Sequence, residues 1–587
     1  MSAERKTRNS ATAPCVVVVA SLLFFTQFSI ARGEKNFEGP PSPPVPVAHF
    51  SQTMRIVLSP DGRLMGIYLQ TADGSQSVAA RYSKDDGHSW SAAATLLKLP
   101  RGIGTWAGPE AMVEHSGEIH LFLLNDANTG VLHSGEANRP KSAQMRKRHL
   151  DIWHTKSVDG RAEWLPLKRI WEGYTGSLNS VIQLRNGRIV LPFSYLTTRI
   201  WSDRGEGFDD FTFKGHFDST VLYSDDQGSS WRLSRSHLEV PVPDIVSAYG
   251  AVEPVVLQLK DGRVWMLIRT QMGRFYESFS INGIAWSAPQ PTSIISSDSP
   301  AGLLRLKDGR ILLLWNDCQR YPYAYGGRQV LQGAISADEG RTWKGYREVV
   351  RDPLRNQPPP VSGDFGTGYP YPTLTRDGKV LLHTGQGKGR SFLVLLDPRW
   401  LDATRQATHF SKGLNGWSVF GTKGVALVPD PGKPGVKVLG LCKPEVDWPS
   451  GAVWNFPDGE KGFLRLRILL EPGFKDLLVG LTDQFSPPFD AEDLFYNLFN
   501  LRIGPGGQFA NGSKIGLNRW HNLELRWDLT RRDCQVILDG QNVEILPLMR
   551  ESSGVCYLRL RSTAQGKDSQ GMLVESVSAD VSASWTK

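Results

Sequence analysis

EPVVLQLKDGRVWMLIRT, residues 253–270, is a pair of short apolar runs joined by Asp261-Gly262. Apolar residues alternate on both sides of that dipeptide, which predicts a β-hairpin with a two-residue turn between half-buried strands. The motif Leu-x-[Asp/Asn/Ser]-Gly-[Arg/Lys/Glu], followed by alternating apolar residues, occurs six times, around Gly62, Gly117, Gly187, Gly262, Gly309 and Gly378. A second repeat interleaves with it: SKDDGHSW (83–90), SDDQGSSW (224–231) and SADEGRTW (336–343). Two worn copies, SVDGRAEW (157–164) and SINGIAW (280–286), fill the gaps, so only the last hairpin lacks a box. The box has a mechanical logic. Ser and Asp side chains bond turn amides, Gly takes a backbone shape that other residues avoid, and Trp packs beneath as an anchor.

Six units of roughly 60 residues, each with about four strands, cannot bury both faces alone, but stacked around an axis they can. The sequence therefore predicts an all-β protein with a six-bladed β-propeller over residues 48–402. The missing sixth box falls where an N-terminal strand would close the ring. From 403 to 587 no hairpin–box pair occurs, and alternating runs such as GFLRLRILLEP and WHNLELRWDLT predict a β-sandwich that resembles a concanavalin-like jelly roll.

The N-terminus is polar and basic, then apolar over residues 15–31, then Pro-rich over 34–47. This is the layout of a secretory signal peptide with small residues at Ser29 and Ala31. The same 17 apolar residues can just span a bilayer, so 1–33 reads as a signal peptide or an N-terminal anchor. Either reading makes the body an exported one: periplasmic, secreted or at the cell surface. Membrane contact is expected only through that segment. The net charge of +8 is scattered apart from QMRKRH (144–149), which suits anionic substrates and argues against nucleic acid. There is no P-loop, dinucleotide fingerprint or metal-ligand cluster, so no cofactor or metal is expected. Cys318, Cys442, Cys534 and Cys556 follow neither a zinc nor a disulfide pattern, and a bridge among the last three stays open.

In a propeller the innermost strand of each blade lines the central funnel. Counting back six to eight residues from each turn reaches Arg55, Glu110, Asn179, Glu253 and Tyr371. The fifth blade gives Ala301, close to Ser299 and Asp298. Polar or phenolic groups at equivalent strand starts point to a site on the axis.

The in-phase boxes, with EPVVLQLKDGRVWMLIRT, GGRQVLQGAISADEGRTW and GYPYPTL, resemble the bacterial-type exo-sialidases (neuraminidases) with Asp-box (BNR) repeats. The resemblance covers the propeller and implies an arginine triad, a Tyr–Glu pair and an acid/base aspartate. Glu253 and Arg269 match the family's placement across an Asp-Gly turn. Arg328 resembles the triad's last arginine. Arg55 resembles the first, although Met54-Arg55-Ile56-Val57 departs from the family's flanks. Tyr371, in Tyr-Pro-Thr-Leu, resembles the nucleophile, with Tyr369 as its rival. Asp73, in a loop ahead of the first box, resembles the acid/base.

The chemistry explains the residue types. A sialic acid carries a carboxylate on the reacting carbon. Guanidinium forks hold such a group with planar, charge-assisted bonds. A carboxylate nucleophile would be repelled, whereas a neutral phenol is not. A phenol in turn needs a base within hydrogen-bond reach, the role of Glu253. The expectation is a retaining exo-α-sialidase acting on sialylated or other acidic glycans. A hydrolase of another acidic sugar and a non-catalytic glycan-binding propeller stay open beside it.

Overall fold

In the computed structural model of the chain, the residues described are 42–50, 52–127, 149–158, 163–197, 216–241, 250–318, 327–358, 360, 365–421 and 423–582. The N-terminal segment 1–33, most of QMRKRH and part of the worn box 157–164 lie outside them. The regular structure described is β-strand, with short 3-10 turns. Among the described residues no helix is long and apolar enough to cross a membrane.

Six antiparallel four-stranded sheets follow one another along the chain. The first comprises Arg55–Leu58, Leu64–Ala72, Ser75–Ser83 and Ala94–Lys98. The next four begin at Thr105–Val113, Ile182–Gln183, Val252–Gln258 and Gly302–Arg305. The sixth comprises Tyr371–Leu374, Val380–Thr384, Phe392–Leu396 and, as its fourth strand, Val45–His49. Val45 and Pro46, placed in the linker by sequence, already pair with Leu395 and Val394.

The hairpin turns differ from the sequence expectation. A two-residue turn of type I′ needs positive φ at both central residues, and here only the glycine has it, as at Gly262 (φ 96°). Instead the Gly262 amide bonds the Leu259 carbonyl and the Leu259 amide bonds the Arg263 carbonyl, which closes a three-residue loop. All six copies share this pattern. The Asp–Gly–Arg triplet supports it, because Asp261 Oδ1 accepts from the Arg263 amide (3.0 Å) and Oδ2 from Arg263 Nε (2.8 Å). The boxes work as read. Ser83 Oγ accepts from the Gly87 amide (2.9 Å), Asp85 Oδ1 from the Ser89 amide (2.9 Å), and the other two clean copies repeat both bonds.

Consecutive sheets share buried cores. Val57 and Ile67 pack with Leu121, Phe122 with Leu191, Val190 with Met266, Leu267 with Leu313, and Leu312 with Val380. Leu381 and Leu393 of the sixth sheet then pack with Met54 and Leu64 at the first, so the succession returns to its start.

Beyond residue 403 lie an eight-stranded and a five-stranded sheet. Leu466 and Trp527 of one share a single core with Trp454 and Leu558 of the other. This part also grips the fifth sheet. Cys318 forms a parallel bridge with Phe485, and Gln484 Nε2 donates to Asp317 Oδ1 at 3.0 Å. All four described cysteines are free, which answers the open disulfide question.

Candidate active site

The strand starts counted from the sequence come together. Arg55 opens its strand, and its Nε donates to Glu110 Oε2 (2.9 Å) while Nη2 donates to the Leu178 carbonyl (2.9 Å). Its guanidinium carbon lies 3.1 Å from the centre of the Tyr371 ring. Arg55 Nη1 is buried without a hydrogen-bond partner, an arrangement that favours an incoming acceptor. Burial raises the Glu110 carboxyl above its usual range, with Arg55 pulling the other way.

The two tyrosines take different hydrogen-bond partners from those expected in the sequence reading. Tyr371, carried over as the nucleophile, opens the sixth sheet and donates its hydroxyl to Asn179 Oδ1 at 3.1 Å, not to Glu253. Burial pushes its phenol well above the ordinary value, against the pull of Arg55. Its rival Tyr369 holds a left-handed backbone (φ 62°) and donates to Glu253 Oε1 at 2.8 Å. Glu253 is itself left-handed (φ 47°). Backbone strain of this kind costs about 1–3 kcal/mol at each residue and tends to cluster at functional sites. Tyr371 lies in the Arg55 stack, and the left-handed step at Tyr369 carries its hydroxyl to Glu253 while the two rings stay 6.5 Å apart between centres.

Arg269 links the parts. Its Nη1 donates to Glu253 Oε2 and to the Tyr369 hydroxyl (3.1 Å), and its Nε to Asp298 Oδ1 (2.7 Å). Asp298 also takes Gln271 Nε2 on Oδ2 (3.1 Å). Its main-chain carbonyl takes Arg328 Nε (3.1 Å) and Nη2 (2.6 Å). Arg328 Nη1 donates to Gln386 Oε1 at 2.6 Å, and its guanidinium carbon lies 5.6 Å from the centre of the Tyr369 ring. Gly366 (φ 97°) makes this approach work, since a Cβ there would sit 2.3 Å from the Arg328 carbonyl oxygen.

A cavity of about 390 Å3 opens here, lined in part by Arg55, Ser177, Tyr369, Tyr371, His383 and Gln386. His383, cross-strand from Tyr371, is driven down to about 3 by burial and by Arg55, so it is a neutral group in a cationic wall.

Asp73 is not part of this cluster. It forms a two-residue turn with Gly74 (φ 50° and 68°), is exposed, and is absent from the cavity wall. TADGS closes the tip of the Leu64–Ala72 and Ser75–Ser83 hairpin, and a left-handed Asp-Gly pair is what that tip requires. Sequence reasoning gave no role to Asp298, His383 or Gln386. Asp298 lay beside the fifth counted strand start, whereas Gln386 sits in GQGKGR, which carries no pattern.

Residues 62–383, more than half of the chain, match the family described as BNR repeat-like domain. The chain belongs to the BNR repeat-like domain family. A sialidase of Micromonospora viridifaciens is 24% identical over 336 residues, which cover 52% of this chain and 46% of that protein. The chain therefore spans about half the length of the curated relative that it matches. Among solved structures, a Trypanosoma rangeli sialidase captured as a covalent intermediate with 2,3-difluorosialic acid is 15% identical, covers 92% of this chain and 95% of its own, and has a TM-score of 0.40. The Hadza microbial sialidase Hz136 is 16% identical, covers 61% and 68%, and has a TM-score of 0.43. Within this BNR-family chain the repeats supply the scaffold, and the strand ends supply the polar cluster.

Proposed function

We propose that this chain is a glycoside hydrolase of sialidase type, a retaining exo-α-sialidase, built on a six-bladed propeller over 48–402 with a sandwich over 403–587. The observation that carries the reading is that Tyr369, in the wall of the cavity, donates its hydroxyl to the Glu253 carboxylate beside Arg269. In this reading Arg55, Arg269 and Arg328 hold the substrate carboxylate, with Arg55 Nη1 as the donor that has no partner to give up. Tyr369 attacks the anomeric carbon as Glu253 takes its proton. The aglycone leaves with the bonding pair, and a glycosyl-tyrosine forms. Glu253 gives that proton up through solvent to the departed aglycone oxygen and is a carboxylate again. Water then attacks the anomeric carbon as Glu253 takes its proton, the Tyr369 oxygen leaves with the bonding pair and recovers a proton from Glu253, and two displacements retain configuration. Tyr371 stacks on Arg55 and orients it. Asp73 carries no step. The export of the chain through residues 1–33 belongs to the same proposal.

A second reading has one observation in its favour. Arg55 is held by Glu110, Leu178 and Tyr371, which leaves one nitrogen for an anion. That weaker grip favours the same chemistry on another acidic 2-keto sugar.

The test is hydrolysis of a fluorogenic aryl sialoside, whose phenolate leaves without an acid. Tyr369→Phe should lose about 10²–10⁴-fold in kcat, while Tyr371→Phe keeps most of it. The opposite order would return the nucleophile to Tyr371. Turnover of an aryl glycoside of another keto-sugar acid alone would favour the second reading.

A further inference from the structure

A second cavity, about 770 Å3, lies between the fourth and fifth sheets at the turn ends of their strands. Glu253 is the second residue of the Val252–Gln258 strand, and the Asp261-Gly262 turn beyond its other end reaches this cavity. At about 3.3 Å per residue the two cavities stand roughly 25 Å apart, too far to be subsites for one sugar.

Its wall combines three aromatic rings, Trp265, Phe279 and Trp343, with charged side chains of both signs. Trp265 and Trp343 lie 6.3 Å apart between ring centres, tilted by 30°. Trp343 belongs to the box 336–343, yet it does not behave as the first box's tryptophan does. Trp90 Nε1 donates back to the Gly87 carbonyl at 2.9 Å, whereas the Trp343 indole N–H has no hydrogen-bond partner among the described residues. Glu277 is half-buried and accepts from Trp265 Nε1 on Oε2 at 2.7 Å. No cation pairs with it among the described residues. Burial raises its carboxyl above the usual range. Arg263 covers Phe279, its guanidinium carbon 5.1 Å from the ring centre, and Arg341 is exposed on the rim.

These groups match one ligand chemistry. A flat indole face takes the C–H face of a pyranose. A carboxylate oriented by an indole accepts from ring hydroxyls, and a spare indole N–H and a rim guanidinium donate to them. Four carboxylates, Asp261, Glu277, Asp338 and Glu339, against three cations, Lys260, Arg263 and Arg341, leave this wall no positive surplus for an anionic sugar, unlike the first cavity with Arg55. We propose that this cavity is an accessory binding site for a neutral pyranose, built from Trp343 and Glu277. It is independent of the reaction proposed above.

The test is calorimetric titration of the whole chain with methyl glucoside, methyl galactoside and methyl mannoside. At least one should bind saturably. Affinity should fall at least about tenfold in Trp343→Ala and in Glu277→Gln, and Trp343→Phe should keep it within about threefold. Thermal melts identify a variant that fails to fold, and the isosteric Glu277→Gln keeps the question answerable if Trp343→Ala does. Tyr369→Phe should leave binding unchanged. The proposal fails if none of the three pyranosides binds more tightly than roughly 50 mM. It also fails if binding survives Glu277→Gln undiminished, or if Tyr369→Phe abolishes it.

Discussion

The Tyr369 hydroxyl and Glu253 Oε1 are 2.8 Å apart, and both residues hold φ angles in the left-handed region. Two strained residues meeting in one hydrogen bond mark where the fold gives up local stability for placement. Glu253→Gln keeps the shape and removes the base. It is expected to lower kcat on an aryl sialoside about 10²–10⁴-fold with little change in melting temperature, since Arg269 stays on Asp298. Kinetics and a thermal melt on the same preparation check both halves.

Asp73 gives the complementary case. Its carboxylate is exposed at a turn tip, outside the cavity wall. Asp73→Asn keeps the turn and should change kcat/KM by no more than about threefold on an alkyl-linked sialoside, whose aglycone does need a proton to leave. A loss of a hundredfold would restore it as acid/base.

A buried chain of polar groups joins the second and third sheets. Trp231 Nε1 can only donate, so His154 Nδ1 accepts (3.3 Å). His154 Nε2 then donates to His120 Nδ1 (3.0 Å), and His120 Nε2 donates to Glu114 Oε2 (3.0 Å). Both rings are thereby neutral, and burial depresses both pKa values. For a depressed histidine the stabilisation is present above the unfolded pKa, about 6.5, and is lost as pH falls below it. Denaturant unfolding should therefore show falling stability from pH 7 to 5. Trp231→Phe should cost about 1–2 kcal/mol at pH 7.

The joint to the C-terminal part has the opposite sign. Burial and the Asp483 charge push Asp317 up to about 8. A raised carboxyl is protonated in the folded chain, so its contribution is full below about 4 and is lost as pH rises through about 8. Asp317→Asn should raise the melting temperature at pH 9 and leave it unchanged at pH 4. The joint also reaches the site. The amide of Cys318, next in sequence to Asp317, donates to Ser297 Oγ at 3.0 Å, and Ser297 precedes Asp298.

Much of this molecule was legible in periodicity. The hairpin and box repeats marked the six sheets, and counting back from Asp261 or Asp61 found Glu253 and Arg55, because strand length fixes how far a turn lies from the opposite end. The same count found Glu110 and Asn179. It failed where the backbone leaves regular geometry. Tyr371 sits in register with its strand and so matched the family motif, whereas Tyr369 reaches Glu253 through a left-handed step that no alternation pattern encodes. The turn type escaped for a related reason: Asp-Gly is compatible with both two- and three-residue loops, and the feature common to all six is an Asp, Asn or Ser side-chain oxygen that accepts from the amide two residues on.

The central claim is that the phenol of Tyr369 becomes the covalent nucleophile. The most direct measurement is peptide mapping by mass spectrometry after incubation with 2,3-difluorosialic acid. One sugar adduct on Tyr369 is predicted, absent in Tyr369→Phe and present in Tyr371→Phe. An adduct on Tyr371, or no adduct on an enzyme that turns over aryl sialosides, would contradict it.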